Sequence, residues 1–239
     1  MRKYKVIRRE AVVERIEDAL VASGASIVTH ADPRSAPFEI TIRTPTGETF
    51  DLVCYAFTAN GYRRAGRPDR HHFRITYGGG ADRCHQLYFD PDGKRTTLLF
   101  GVHLEMDLFV GVDPRMHSPT RFPRSVELKK GDLETARTHQ WHGWERERSH
   151  MGGRARPEES LLTETVIAFR PEQFLRYVEF ERLASGLDCG ERCLLSDRIE
   201  QNLSRGTLPT PPGRHSLEIQ LGLPASVILD VAMARIGRS

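Results

Sequence analysis

Between Ser26 and Lys130 the chain carries seven short runs of β-forming residues, and no gap between them is long enough for a crossover helix. The runs are SIVTH, FEITIRT, TFDLVCYAF, HHFRITY, QLYFD, TTLLFGVHL and DLFVGV. Parallel neighbours in a sheet need a connection of a dozen or more residues, usually helical, whereas antiparallel neighbours need only a turn. The spacing therefore predicts an α+β fold: a curved, largely antiparallel β-sheet or partial barrel with flanking helices. Pro45, Thr46 and Gly47 supply the turn of one hairpin, and DPDGK separates QLYFD from TTLLFGVHL.

Helical signals lie on either side of this block. REAVVERIEDALVAS, residues 9–23, places Ala11, Val12, Ile16, Ala19 and Leu20 on one stripe, with Gly24 as a stop. DLETARTH after Gly131 begins as a helix with Asp132 at its cap, and HQWHGWERERSHMGG reads as a polar loop. ETVIAFR is a further strand; PEQFLRYVEFERLA is a helix opened by Pro171, with Phe174, Leu175, Val178 and Leu183 as its buried stripe. LLSDRIEQNLS is one more helix. The expected organisation is a β-rich domain over residues 1–204, a Pro/Gly-rich linker at 205–214 and a small C-terminal helical appendage at 215–239.

The chain has 239 residues, enough for one large core without staples. It holds no apolar run near the roughly 18 residues of a membrane span, and MRKYKVIRRE lacks a signal-peptide core, so a soluble, cytoplasmic protein with no membrane partner is expected. Cys54, Cys84, Cys189 and Cys193 are too scattered for a disulfide scaffold. The C-x3-C of Cys189 and Cys193 is half of a zinc pattern with no second half nearby in sequence, and the simpler reading is two small residues at a helix end.

A net charge of +3 does not by itself demand nucleic acid, but its distribution is uneven. Between Tyr62 and Tyr77 the arginines 63, 64, 67, 70 and 74 face only Asp69, and Arg121, Arg124, Lys129 and Lys130 cluster further on. If both segments reach one edge of the sheet they form a cationic groove for a phosphate backbone. HQWHGW adds Trp141 and Trp144, which either stack on a base or anchor their segment on the core; His139, His142 and His150 lack a standard metal spacing. A different chemistry is open to the E-x-K of Glu127 and Lys129: alternate strand residues share a face, so with Asp113 they would supply two carboxylates and a cation for Mg2+-dependent phosphodiester cleavage. No P-loop follows Gly78 to Gly80, no G-x-S-x-G elbow is present, and no zinc-deaminase signature exists.

RPDRHHFRIT, TTLLFGVHLEMDLFVGVDPRMH, FPRSVELKKGDLETA and VIAFRPEQFLRYV, in that order, resemble the amino-terminal methylase-associated, DNA-recognition domain that precedes HNH-type or PD-(D/E)xK-type nuclease domains in bacterial restriction endonucleases. The likeness spans roughly residues 36–183. It implies reading of double-stranded DNA, methylated or otherwise modified bases included, with cleavage supplied elsewhere, since the residues after the linker hold no nuclease pattern. It also implies that a strand like SVELKK serves with other polar residues, which turns the E-x-K toward structure and Asp113 toward capping the DPRMH turn.

The leading expectation is thus a DNA-binding recognition protein of a bacterial restriction or phage-defence system, working with a separate nuclease or methyltransferase subunit and needing no cofactor. Arg63, Arg64, Arg67, Arg121, Arg124 and Lys129 would contact the backbone, and Arg70, His72, Arg74, Trp141 and Trp144 the bases. Beside it stand a metal-dependent endonuclease using Asp113, Glu127, Lys129 and Mg2+, and an adaptor whose basic face binds an acidic protein of a defence complex.

Overall fold

The structure is a computed structural model that describes residues 1, 3–5, 9–61, 69–77, 84–121, 124–147 and 163–205; within these, the side chains of residues 4, 5, 84, 121 and 124 are not described. In chain order the elements are β1 (Tyr4–Lys5), α1 (Glu10–Ala22), β2 (Ser26–His30), β3 (Ser35–Ala36), β4 (Phe38–Arg43), β5 (Thr49–Gly61), β6 (Arg70–Ile75), β7 (Cys84–His85), β8 (Arg95–His103) and β9 (Leu108–Val112). There follow β10 (Thr120–Arg121), β11 (Arg124–Lys129), α2 (Lys130–His139), β12 (Trp141–Glu147), β13 (Thr163–Phe169), α3 (Phe174–Ala184) and α4 (Cys189–Ser204). The expected appendage and nearly all of the linker, from residue 206 onward, lie outside the described residues.

The sheet is open, α+β in class and mostly antiparallel, as the short gaps require. Its main path runs β11-β6-β5-β8-β9-β13-β12, with β4 and then β2 attached beside β5. One pair departs from the pattern: β5 and β8 run parallel from Asp51↔Arg95 to Thr58↔Val102. Their connection contains strands β6 and β7 where a crossover helix would normally stand. β5 is 13 residues long and serves two partners in turn, β4 along Thr49 to Cys54 and β6 over its last three residues.

Both faces of the central strands are covered, which is why LLFGV and LFVGV read as continuous apolar runs. Toward α1, α3 and α4 point Leu98, Phe100 and Phe109 with Phe169, Phe174, Tyr177 and Phe180. Toward the other side point Leu99, Val110 and Val166, packed with Phe73 of β6, Val126 and Leu128 of β11, and Leu133 and Ala136 of α2. The β6–β11 ribbon thus curls over the sheet. Gly101 of β8 permits this, because a Cβ there would lie 2.6 Å from Cδ1 of Phe73.

Three stretches differ from their sequence reading: α2 starts at Lys130 with Lys129 at its N-cap position, so Asp132 lies in the first turn and does not cap the helix. QLYFD is irregular, because its backbone is satisfied by side chains: Tyr88 N–H donates to the Tyr55 hydroxyl at 2.9 Å, and the Tyr88 carbonyl accepts from Thr97 Oγ1 at 2.6 Å. WHGWERE, read as a loop, is β12, held along its whole length by β13 from Trp141↔Phe169 to Glu147↔Thr163. Its charged second half suits the sheet edge it occupies.

A buried ion triad ties the segment after β9 to this edge. Glu164 is fully buried; one carboxylate oxygen accepts from His117 Nε2 at 2.6 Å and the other from the Arg146 guanidinium. Burial alone would raise the Glu164 carboxyl, but the His117 and Arg146 contacts outweigh it and hold the group down to about 2. A depressed carboxyl contributes stability that is present above its ordinary value near 4.5 and fades as pH falls toward 2. Between about pH 6 and pH 3 the protein should lose roughly 2 kcal/mol through this group. Urea titrations of wild type and Glu164→Gln at both pH values test this; parallel losses in the two proteins would refute it.

Candidate functional site

β6 and β11 pair antiparallel, with Lys129 opposite Arg70, Glu127 opposite His72 and Ser125 opposite Arg74. Residues directly opposite share a face. The inner face carries His71, Phe73, Ile75, Val126 and Leu128, all buried, so the alternation directs Arg70, His72, Arg74, Glu127 and Lys129 outward. Asn60 of β5, exposed and opposite His72, extends that row. The two basic segments that stand some fifty residues apart in sequence therefore meet as neighbouring strands.

Arg70 has Asp69 at 3.8 Å, and Lys130 pairs with Glu134 at 3.5 Å. Burial and then the neighbouring Arg74 lower the His72 imidazole, against an opposing pull from Glu127, so His72 is a neutral donor and acceptor at pH 7. Arg63, Arg64 and Arg67 lie outside the described residues; the strand ends on either side of them, Gly61 and Asp69 before β6, adjoin this face. Arg121 and Arg124 are placed by their backbones on β10 and β11.

Trp141 and Trp144 part company. Trp141 is 0% exposed: its Nε1 donates to Ser196 Oγ at 2.9 Å and its ring packs on Phe169 and Phe180. Of the two readings open in the sequence, this geometry is that of an anchor in the core. Trp144 is half-buried, stacked on His142 with ring centres 5.5 Å apart. His142 and His139 both turn to Glu200, at 3.0 and 3.2 Å, and the hydrogen bond that His142 donates to the Glu200 carboxylate raises its imidazole. His150 lies outside the described residues.

Asp113 directly follows β9, and its Oδ1 accepts the Arg115 N–H at 2.8 Å, the turn contact its DPR sequence favours. Its other oxygen is 4.0 Å from Arg192 Nε. Glu127 and Lys129 are on β11, with β6, β5 and β8 intervening between that strand and β9 in the sheet order.

A second feature was hidden in the sequence. A polar cleft of about 560 Å³ opens beside the start of β8 and the end of α3, lined in part by Phe89, Arg95, Arg115, Glu179, Glu181 and Arg182. Glu179 is 1% exposed, neither of its oxygens has a hydrogen-bond partner, and Arg182 is 3.7 Å away. Burial pushes the Glu179 carboxyl up to about 7, more than Arg182 lowers it. Glu181 is likewise raised to about 7 by burial, offset by Arg192 at 2.7 Å. Both sit in FLRYVEFERLA, a helix read as pure core. On the other side of the sheet His71 and His103 form a buried pair, Nδ1 to Nε2 2.8 Å. His103 Nδ1 accepts from Met106 N–H, so its Nε2 carries the proton and donates to His71.

No described helix is long and apolar enough to cross a membrane. Neither the curated proteins nor the solved structures contain a match to this sequence. The family model described as methylase-associated X1 matches residues 50–178, more than half of the sequence, from β5 into α3 and thus across β6 and β11. The chain belongs to the methylase-associated X1 family.

Proposed function

We propose that this chain is a DNA-holding recognition component of a restriction or phage-defence system, one that reads the modification state of a duplex while a separate nuclease or methyltransferase subunit acts on it. The observation that carries this reading is the pairing of β6 with β11, which sets Arg70, Arg74 and Lys129 on one open face, on strands of which β6 follows the arginine-rich sequence 62–68. In this reading Arg63, Arg64, Arg67, Arg121, Arg124 and Lys129 hold phosphates, and Arg70, His72, Arg74 and Trp144 reach the bases. Membership of a methylase-associated family supports the setting, because a component of a restriction-modification system works beside a methyltransferase.

The test is equilibrium binding of the purified chain to unmodified, methylated and otherwise modified duplexes of one sequence, each at two salt concentrations. Affinity that falls steeply with salt and differs between modification states is expected. Absence of duplex binding at low salt refutes the proposal. The same samples incubated with plasmid and Mg2+ address the hydrolytic alternative, which keeps one observation in its favour: Glu127 and Lys129 do share the outer face of β11.

A further inference from the structure

The Cys189-x3-Cys193 pair lacked a second half in the sequence; the fold supplies a third ligand from another element. Asp188 caps α4 with a reciprocal capping box to Glu191, so the helix begins at Cys189, and Cys193 follows one turn later on the same side. β12 crosses this helix at very close range. A Cβ on Gly143 would lie 2.0 Å from Ser196 Oγ, so only glycine lets the strand approach. Glu145, two residues further along, points to the same side of the strand as Gly143 and so toward α4. A carboxylate oxygen of Glu145 and the sulfurs of Cys189 and Cys193 all lie within 4.8 Å of one another.

A fourth residue frames the group. Thr165 stands directly opposite Glu145 on β13, and its hydroxyl is 3.4 Å from Cys189 Sγ, 3.5 Å from Cys193 Sγ and 2.9 Å from the Cys189 carbonyl, so its one proton can go to a thiolate or to that carbonyl. It occupies the place of an outer hydrogen-bonding group that orients thiolate ligands. Both sulfurs are free thiols.

We propose that Cys189, Cys193 and Glu145 form a binding site for one thiophilic divalent cation, of which Zn2+ is the representative, with the fourth position open to water. Two thiolates and a carboxylate match the preferences of zinc, while Mg2+ and Ca2+ select all-oxygen sites. Zn–S bonds of about 2.3 Å in a tetrahedron put ligand atoms about 3.8 Å apart, so the group closes by about 1 Å at most when the ion enters. Cys189 and Cys193 share one rigid helix, and Glu145 is exposed with room to move. The ion would clamp α4 to β12, the strand at the other end of the sheet path from β11.

The experiment uses the full chain, purified without a metal-affinity tag under reducing conditions. Metal analysis after Zn2+ addition and dialysis should give about one ion per chain, and Co2+ should produce the intense near-ultraviolet thiolate-to-metal band with visible bands of tetrahedral geometry. Saturating Zn2+ should raise the thermal midpoint by about 5 °C or more. Cys193→Ser should abolish the thiolate band, Glu145→Gln should weaken Zn2+ binding at least about tenfold, and Thr165→Val should weaken it about tenfold to hundredfold. Circular dichroism of each variant confirms that it folds. Glu145→Gln sits on an exposed side chain, so it keeps the test decisive if a cysteine variant fails to fold. Full thiol titre with no Co2+ band overturns the proposal, as does isolation of the pair as a disulfide that ignores Zn2+, or unchanged metal binding in Glu145→Gln.

Discussion

Arg192→Ala should lower the unfolding free energy by about 3–5 kcal/mol, the penalty for leaving a buried carboxylate without its cation. Arg192 is 1% exposed, yet it is fully charged within the core. Its Nη2 donates to Glu181 at 2.7 Å, its Nη1 donates to the Ala184 carbonyl at 3.1 Å, Asp113 lies 4.0 Å from Nε, and the guanidinium stands 5.0 Å from the centre of the Phe180 ring. One side chain thereby joins α4, α3 and the end of β9. Without it, Glu181 keeps its burial and loses the partner that offsets it, so the carboxyl, already at about 7, must rise further.

The pH sign follows. A carboxyl whose folded value is raised costs stability as pH climbs from its ordinary value to the folded one; the wild type stops losing near 7 and the variant does not, so the variant's deficit should grow once pH passes about 7 toward 8. Urea midpoints of wild type and Arg192→Ala at about pH 6 and pH 8 measure it. The double variant Arg192→Met with Glu181→Leu removes both charges and should recover most of the loss, because a buried pair replaced by apolar side chains is often neutral. A deficit under about 1 kcal/mol in Arg192→Ala, or no recovery in the double variant, would show that the cluster does not hold these elements together.

That cluster marks where sequence reading stops. The α1 stripe, in which Val13 is buried and Ala11 is exposed, the β4–β5 hairpin and the Pro171 entry to α3 were largely legible because each is specified by residues within about a dozen positions, as local propensity and turn chemistry are. β12 was not, because its partner β13 arrives from beyond residues 148–162, and an edge strand with Glu145, Arg146 and Glu147 reads as polar loop until it is paired. The parallel β5–β8 pair was hidden for a related reason: the rule that short gaps exclude it assumes a helical crossover, and this connection is made through other strands. Glu179 and Glu181 look like the polar face of an amphipathic helix, but α3 is enclosed on nearly every side, and only the packing reveals them as buried carboxyls. The basic residues were visible as runs, while their meeting depended on the register of β6 against β11.

Replacing Arg70, Arg74 and Lys129 together by glutamine should reduce the slope of log affinity against log salt by about 0.9, since of the three Lys129 holds a phosphate, and should narrow the affinity difference between modification states, since Arg70 and Arg74 reach the bases. All three project from the outer face, and among the described residues none makes a short ion pair that its loss would strand. The fold should therefore survive, and near-identical thermal midpoints serve as the control. Glu127→Gln probes the same face with the opposite sign. Glu127 stands opposite His72 and two residues from Lys129 on the outer face, and in the proposed reading repulsion of phosphates of about 1 kcal/mol at surface dielectric corresponds to roughly a fivefold gain in affinity once it is neutralised. The hydrolytic alternative makes the contrary demand on the same residue, since a metal-binding Glu127 is essential to cleavage. Tighter binding by Glu127→Gln with no Mg2+-dependent cleavage by the wild type supports a face built to hold DNA. Cleavage by the wild type that vanishes in Glu127→Gln, or an unchanged salt slope in the triple variant, rejects it, because a face that only holds a duplex has no need of that carboxylate and cannot lose its cations without consequence.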